Sequence, residues 1–258
     1  MKKDIQYIIG KKQANIPVTV VTAYDFPTAR ILDDAGIDVV LVGDSVGTNY
    51  LGYASEREVT VGDMAHHTAA VSRAAKTAFI IADMPYGCAD DADSALRNAR
   101  ILVGAGADCV KIEGWGEKAD TVRHLCGNGI TVCAHIGYNP QIHDRPKVFG
   151  KDEEQANTLL NDAVCLYSAG AKVMILEMVP KKLSENITGS IPIPTIGIGS
   201  GSACDGQVLV VNDLLGLSPK VFKHARQFAN LKETMYEAFK SYAAAVISRE
   251  FPADENSW

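Results

Sequence analysis

The sequence predicts a (β/α)8 barrel, an α/β fold in one domain over residues 1–258, and three observations carry that reading. Short runs rich in Val and Ile alternate with amphipathic helical segments along the chain. The runs are almost continuously apolar, as strands buried on both faces are. Charged residues stand repeatedly where a run ends, at the C-terminal tips on which such barrels build their sites. No linker, low-complexity segment or shift of composition marks a second domain.

In order, residues 3–12 predict a short capping helix, and 17–22 a first strand with Thr22-Ala-Tyr-Asp25 at its tip. A helix from Pro27 stops at Gly36, and the second strand follows at 39–42. Thr60 and Asp63 have the spacing of a capping box and open a helix through about Ala75. His66 and His67 in that helix point about 100° apart, so they do not chelate one metal. Strands follow at 78–82, 109–113, 131–135, 173–177, 194–197 and 208–211, with helices at 90–104, 117–126 and 153–169. The tail from Pro219 to Phe251 is helical in pattern, and is expected against the barrel wall or another subunit.

Composition limits the function. A chain of 258 residues with 47% apolar and 22% charged residues suits one soluble barrel with a substantial core. The net charge of −6 argues against a nucleic-acid partner, which needs a basic field. No apolar run approaches the ~20 residues of a membrane span. The Met-Lys-Lys start does not read as a signal peptide, so a cytoplasmic protein with no membrane partner is expected. Cys88, Cys109, Cys126, Cys133, Cys165 and Cys204 form no Cys-x-x-Cys pair and read as reduced core or loop residues.

The strand tips hold the chemistry. Asp44, Asp83, Lys111, Glu113, His135 and Glu177 each follow or close an apolar run. Singly, each has a structural reading: Asp44 or Ser45 as a helix cap, Asp83 as a brace for the Met84-Pro85 turn, Lys111 with Glu113 as an ion pair in a barrel layer. Together they are costly to bury unless paired or metal-bound, which points to an active site. Asp44 and Asp83 offer hard oxygens from the second and third strands and Glu113 a third, a set that favours Mg²⁺. Lys111 and Glu113 lie two apart on one strand and face the same way, so the lysine can neutralise charge on a substrate oxygen. Glu177, across the barrel on the sixth strand, is placed to remove a proton α to a carbonyl.

The motifs Val21-Thr-Ala-Tyr-Asp25, Leu41-Val-Gly-Asp-Ser45, Ala82-Asp-Met-Pro85, Val110-Lys-Ile-Glu-Gly114, Ala134-His-Ile-Gly137 with Pro140-Gln141, Leu176-Glu177, Ile196-Gly-Ile-Gly199 and Asp205-Gly-Gln207 resemble, in order and spacing, those of the ketopantoate hydroxymethyltransferases. That family belongs to the phosphoenolpyruvate/pyruvate-like barrel superfamily and is usually decameric, so the resemblance implies a homo-oligomer. It also implies a role in pantothenate biosynthesis, with hydroxymethyl transfer from 5,10-methylenetetrahydrofolate to 3-methyl-2-oxobutanoate. By the same resemblance Asp44 and Asp83 bind Mg²⁺, with Glu113 completing the metal site. Ser45 and its backbone hold the oxo-acid carboxylate, Lys111 contacts substrate, His135 supports the site and Glu177 accepts the proton. Two departures lie near the mouth: a shorter sequence after Gln141 and Trp115 in place of a small residue. They bear on folate binding and loop closure, and keep open a second reading, a related Mg²⁺-dependent C–C lyase or mutase acting on another 2-oxo acid. Gly197-x-Gly-x-Gly201 reads either as an anion site or as a tight turn.

Overall fold

The computed structural model describes residues 1–258 as two compact units, 1–210 and 211–258. The first is the predicted barrel: eight parallel strands close in sequence order, with β8 paired to β1. The strands are β1 Val18–Thr22, β2 Val39–Val42, β3 Phe79–Asp83, β4 Cys109–Glu113, β5 Val132–Gly137, β6 Val173–Glu177, β7 Thr195–Ile198 and β8 Gly206–Leu209. Helices α1 Ile5–Gln13, α2 Phe26–Asp34, α3 Val61–Ala74, α4 Ala92–Gly104, α5 Ala119–Gly127, α6 Glu153–Ser168 and α7 Lys181–Ser190 complete the unit. The expected alternation fails once: the connection 199–205 between β7 and β8 is too short for a helix and turns through left-handed glycines at 199 and 201.

Local chemistry sets the helix starts. Asp25, Thr60, Asp91 and Asp152 each accept a backbone N–H three residues on, and Asp63 returns the bond to Thr60, completing the box. His67 is spent structurally, its Nδ1 lying 2.6 Å from the Tyr24 carbonyl.

Inside the barrel the period-two alternation stacks side chains in layers. The lower layers are apolar: Val18, Val20, Val39, Leu41, Phe79, Ile81, Cys109, Cys133, Val173, Ile175, Ile196, Ile198 and Val208 form one cluster, which Ile8 of α1 joins. All six cysteines are free; five are at least partly covered, Cys109 and Cys133 of this cluster among them, and Cys165 is exposed.

The base of the barrel carries a repeated device. Asp38, Asp108 and Asp205 each directly precede an even-numbered strand, and each accepts a backbone N–H from the strand before it, of Thr19, Ile80 and Thr195 respectively. Lysines from the N-terminal segment reach all three: Lys11 Nζ lies 2.5 Å from Asp38, Lys2 2.8 Å from Asp108 and Lys12 2.8 Å from Asp205.

In the second unit, α8 Val211–Leu215 and α9 Leu231–Ser248 are the α-helices. The helical pattern seen from Pro219 to Phe251 yields helix only over Leu231–Ser248, and residues 219–230 form turns and irregular chain. No residue of α9 is buried. No helix is long and apolar enough to cross a membrane.

Candidate active site

Carried two residues further up the strands, the alternation that builds the apolar layers delivers polar groups. Phe79 and Ile81 lead to Asp83, Cys109 to Lys111 and Glu113, Cys133 to His135, and Val173 and Ile175 to Glu177. The register sets Asp83 beside Lys111 and Glu113 beside His135. Asp44 arrives differently, from the turn after β2, and its backbone N–H donates to Asp83 Oδ2 at 3.1 Å. Gly43 permits this approach: a Cβ there would stand 3.0 Å from Ser45 Oγ and 3.5 Å from Asp83 Oδ2. Gly137 is required for another reason, since with φ of +101° its Cβ would fall 2.1 Å from the Glu177 carbonyl oxygen.

The predicted residues therefore meet. One ligand oxygen from each of Asp44, Asp83 and Glu113 lies within 4.8 Å of the others, and all three residues are buried. Lys111 Nζ sits between two of them, 2.7 Å from Glu113 Oε1 and 3.1 Å from Asp83 Oδ2. His135 Nδ1 lies 3.1 Å from Glu113 Oε1, and its Nε2 lies 3.3 Å from Glu177 Oε2. The latter contact is too bent for a hydrogen bond, so that nitrogen has no aligned partner. Glu177 is the most open of the set, with 18% of its side chain exposed.

Burial and like charge push the carboxyls up together, and opposite charge works against them. Burial, with repulsion from Glu113 and Asp83, pushes the Asp44 carboxyl well above the usual carboxylate range. Burial raises Asp83 as well, and Glu113 adds to the rise while Lys111 opposes it. For Glu113 burial is outweighed by Lys111 and His135, which hold it down at about 2. Lys111 is raised well above the ordinary lysine value because the surrounding carboxylates overcome its desolvation. His135 is pushed up to about 9: desolvation and Lys111 oppose its protonation, but Glu113 and Glu177 prevail.

The donor set fits a hard divalent cation. Asp83 Oδ1 and Glu113 Oε2 are buried without a hydrogen-bond partner, and the two carboxyls whose ionisation is suppressed, Asp44 and Asp83, are those a cation would stabilise. The residues that could hold it are Asp44, Asp83 and Glu113. A cleft of about 170 Å³ opens beside them, its lining including Met84, Tyr86, Glu113, Lys118, Asn139 and Gln141.

Two residues at the site were assigned no role from sequence. The Tyr24 hydroxyl, fully buried, lies 2.8 Å from Ser45 Oγ and so positions the hydroxyl expected to meet the oxo-acid carboxylate. Gln141 Nε2 donates to Asp44 Oδ2 at 2.7 Å. Both stand in the quoted motifs, but their partners lie 21 and 97 residues away, beyond any local pattern.

The departures near the mouth pack together. Trp115 stands against His143 and Phe149 with ring centroids 6.0 and 5.8 Å apart, and its Nε1 donates to the Gly137 carbonyl at 3.4 Å. The Gly-rich stretch after β7 is a turn bonded to its neighbours: Ser200 Oγ donates to the Leu176 carbonyl and accepts the Val179 N–H.

Comparison with known proteins bears on the fold and the family. Solved structures with this fold include 2,3-dimethylmalate lyase, a PEP mutase/isocitrate lyase superfamily member. It has a TM-score of 0.63 at 16% identity, covering 100% of this chain and 92% of that one. A phosphonopyruvate hydrolase complexed with oxalate and Mg²⁺ has a TM-score of 0.66 at 11% identity, covering 99% and 93%. At these identities the likeness is one of fold. Sequence relatives are much nearer. The 3-methyl-2-oxobutanoate hydroxymethyltransferase of Geobacillus thermodenitrificans is 47% identical over 247 residues, 93% of this chain and 88% of the relative. That of Geobacter metallireducens is 43% identical over 263 aligned positions, covering 100% and 98%. The family model described as ketopantoate hydroxymethyltransferase matches residues 2–254, and the chain belongs to that family of hydroxymethyl-transferring enzymes.

Proposed function

We propose that the protein transfers a hydroxymethyl group from 5,10-methylenetetrahydrofolate to 3-methyl-2-oxobutanoate, giving 2-dehydropantoate for pantothenate biosynthesis. The observation that carries this reading is a buried three-carboxylate cluster faced, across His135, by a partly exposed glutamate. The family membership and the names of its relatives support the same substrate.

In this reading Asp44, Asp83 and Glu113 would hold Mg²⁺, which when bound would supply a Lewis acid for the substrate's keto oxygen. Ser45, positioned by Tyr24, and the adjacent backbone receive the substrate carboxylate. Lys111, buried and cationic, adds positive charge beside the carboxylates and can face the developing oxyanion. Glu177 removes the proton from C3, α to the keto carbon, and C3 then forms the new carbon–carbon bond with the one-carbon unit. Water supplies the hydroxyl oxygen and tetrahydrofolate leaves, which balances the transfer. His135 stands between Glu177 on one side and Glu113 on the other and links the base to the carboxylate cluster.

The decisive experiment follows exchange of the C3 hydrogen of 3-methyl-2-oxobutanoate into deuterated water, with and without tetrahydrofolate. Exchange together with folate-dependent product formation is expected. Exchange on pyruvate-like acids alone would point instead to a lyase or mutase. We further propose that the enzyme is a cytoplasmic homo-oligomer whose contacts involve the apolar residues of α9, where Met235, Phe239, Tyr242 and Val246 recur at helical spacing and are exposed.

A further inference from the structure

The loop after β5 reaches back into the carboxylate cluster through one side chain. Gln141 is 7% exposed, and both protons of its amide are used: one on Asp44 Oδ2 at 2.7 Å, the other on the Met84 carbonyl at 3.0 Å. Those acceptors fix the orientation of the amide, since turning Oε1 toward a carboxylate and a carbonyl would set acceptor against acceptor. Met84 directly follows Asp83, so Gln141 bridges the tips of the two strands that supply Asp44 and Asp83. Its own backbone is clamped on both sides. The N–H donates to Asn139 Oδ1 at 2.8 Å, and the carbonyl accepts Arg57 Nε at 2.7 Å. Arg57 also pairs with Asp144 of the same loop at 3.0 Å and lies over the Tyr86 ring, and it touches none of the site carboxylates.

We infer that Gln141 is a positioning residue for the metal centre: its amide holds the Asp44 carboxylate in ligand orientation and makes ion binding and ordering of the 141–149 loop one coupled equilibrium. The inference rests on the metal reading above. With Oδ2 committed to the amide, Asp44 has one oxygen left to offer, and its plane is set before an ion arrives. Partners of this kind commonly govern metal affinity by 10–100-fold. Because the same amide anchors the loop, an ion that favours the bonded Asp44 must also favour the ordered loop, and the reverse holds by linkage.

The test titrates Mn²⁺ by electron paramagnetic resonance and follows tryptic cleavage after Lys147, which is exposed on the loop, with and without Mn²⁺. Wild type, Gln141→Leu and Arg57→Met are compared at a temperature where circular dichroism shows each folded. Mn²⁺ should slow cleavage of the wild type severalfold. Gln141→Leu should bind Mn²⁺ about 10–100-fold more weakly, and show no protection even when saturated. Arg57→Met leaves every carboxylate in place yet releases the loop, and should weaken Mn²⁺ binding by a smaller factor equal to its loss of protection. Wild-type affinity in Gln141→Leu would overturn the positioning role. Unchanged affinity in Arg57→Met, or cleavage of the wild type indifferent to Mn²⁺, would overturn the coupling. A wild type that binds no Mn²⁺ would overturn the metal reading itself, before any variant is compared.

Discussion

His135 Nε2 stands 3.3 Å from Glu177 Oε2 at an angle that makes no hydrogen bond, while Nδ1 of the same ring lies 3.1 Å from Glu113. One imidazole thus touches both the carboxylate cluster and the glutamate assigned as base. Glu177 is held by charge more than by an aligned bond, and keeps the freedom to turn toward a substrate.

Replacing the base separates chemistry from binding. Glu177→Gln should lower turnover about 10²–10⁴-fold, the range for loss of a positioned base. Calorimetry should still show 3-methyl-2-oxobutanoate binding, whereas C3 exchange into deuterated water should vanish. Exchange at the wild-type rate would move the base elsewhere.

His135→Gln removes the imidazole between Glu177 and Glu113 but leaves a neutral polar side chain. We expect kcat to fall about 10–100-fold, with Mn²⁺ affinity reduced less than by Asp44→Ala, because His135 acts on the ion only through Glu113. A larger loss of ion affinity than of kcat would reverse that assignment.

Asp44→Ala and Asp83→Ala should each abolish activity, as should removal of the ion by a chelator, with recovery of the wild type on adding Mg²⁺ or Mn²⁺. Two or three carboxylates hold Mg²⁺ only with help from substrate oxygens and water, so either loss is severe. Full activity after chelation would refute the metal assignment.

Asp38, at the opposite end of the barrel, predicts a pH dependence of stability. Burial pushes its carboxyl up, but Lys11, the Thr19 backbone and Tyr7 outweigh burial and hold it below the usual value of 3.8. A depressed folded-state value means stability that is present above the unfolded value and lost as pH falls through the folded one. Asp38→Asn should therefore destabilise the protein at pH 7 by about 2 kcal/mol, the order of a charge-assisted hydrogen bond. In thermal melts the gap from wild type should narrow below pH 3.8. A constant gap down to pH 2 would show that packing, and not charge, sets the difference.

Sedimentation should find an oligomer at micromolar concentration, and charged substitutions at Phe239 and Tyr242 should lower its mass without unfolding the barrel. A monomeric wild type would remove the proposed role of α9.

The barrel was legible because its strands are continuous apolar runs and its helices carry paired caps; β4 and β6 run over the predicted residues. β8 begins two residues earlier than its apolar run because Gly206 and Gln207 join by pairing with β1, which no propensity announces. Helix α7 escaped notice because few of its side chains are apolar; Leu183 and Ile187, buried with Ser184, mark one narrow stripe. At the site, a charge after an apolar run was visible for Asp83, Lys111, Glu113, His135 and Glu177, since period two alone aims them inward. Tyr24 and Gln141 were not, because what defines them is a hydrogen bond across the closed barrel.

The lysine spokes at the base have a consequence for assembly of the chain. Their three aspartates precede β2, β4 and β8, and come within reach of one short N-terminal segment only when β8 has returned to β1. Residues 2–12, although they precede every strand, can complete their four ion pairs with these aspartates only when nearly all of the barrel chain is in register. A ring missing its last strand lacks the ion pair of Lys12 with Asp205 and leaves that lysine only the Thr188 carbonyl, so the leading segment is fully paired only on a finished ring.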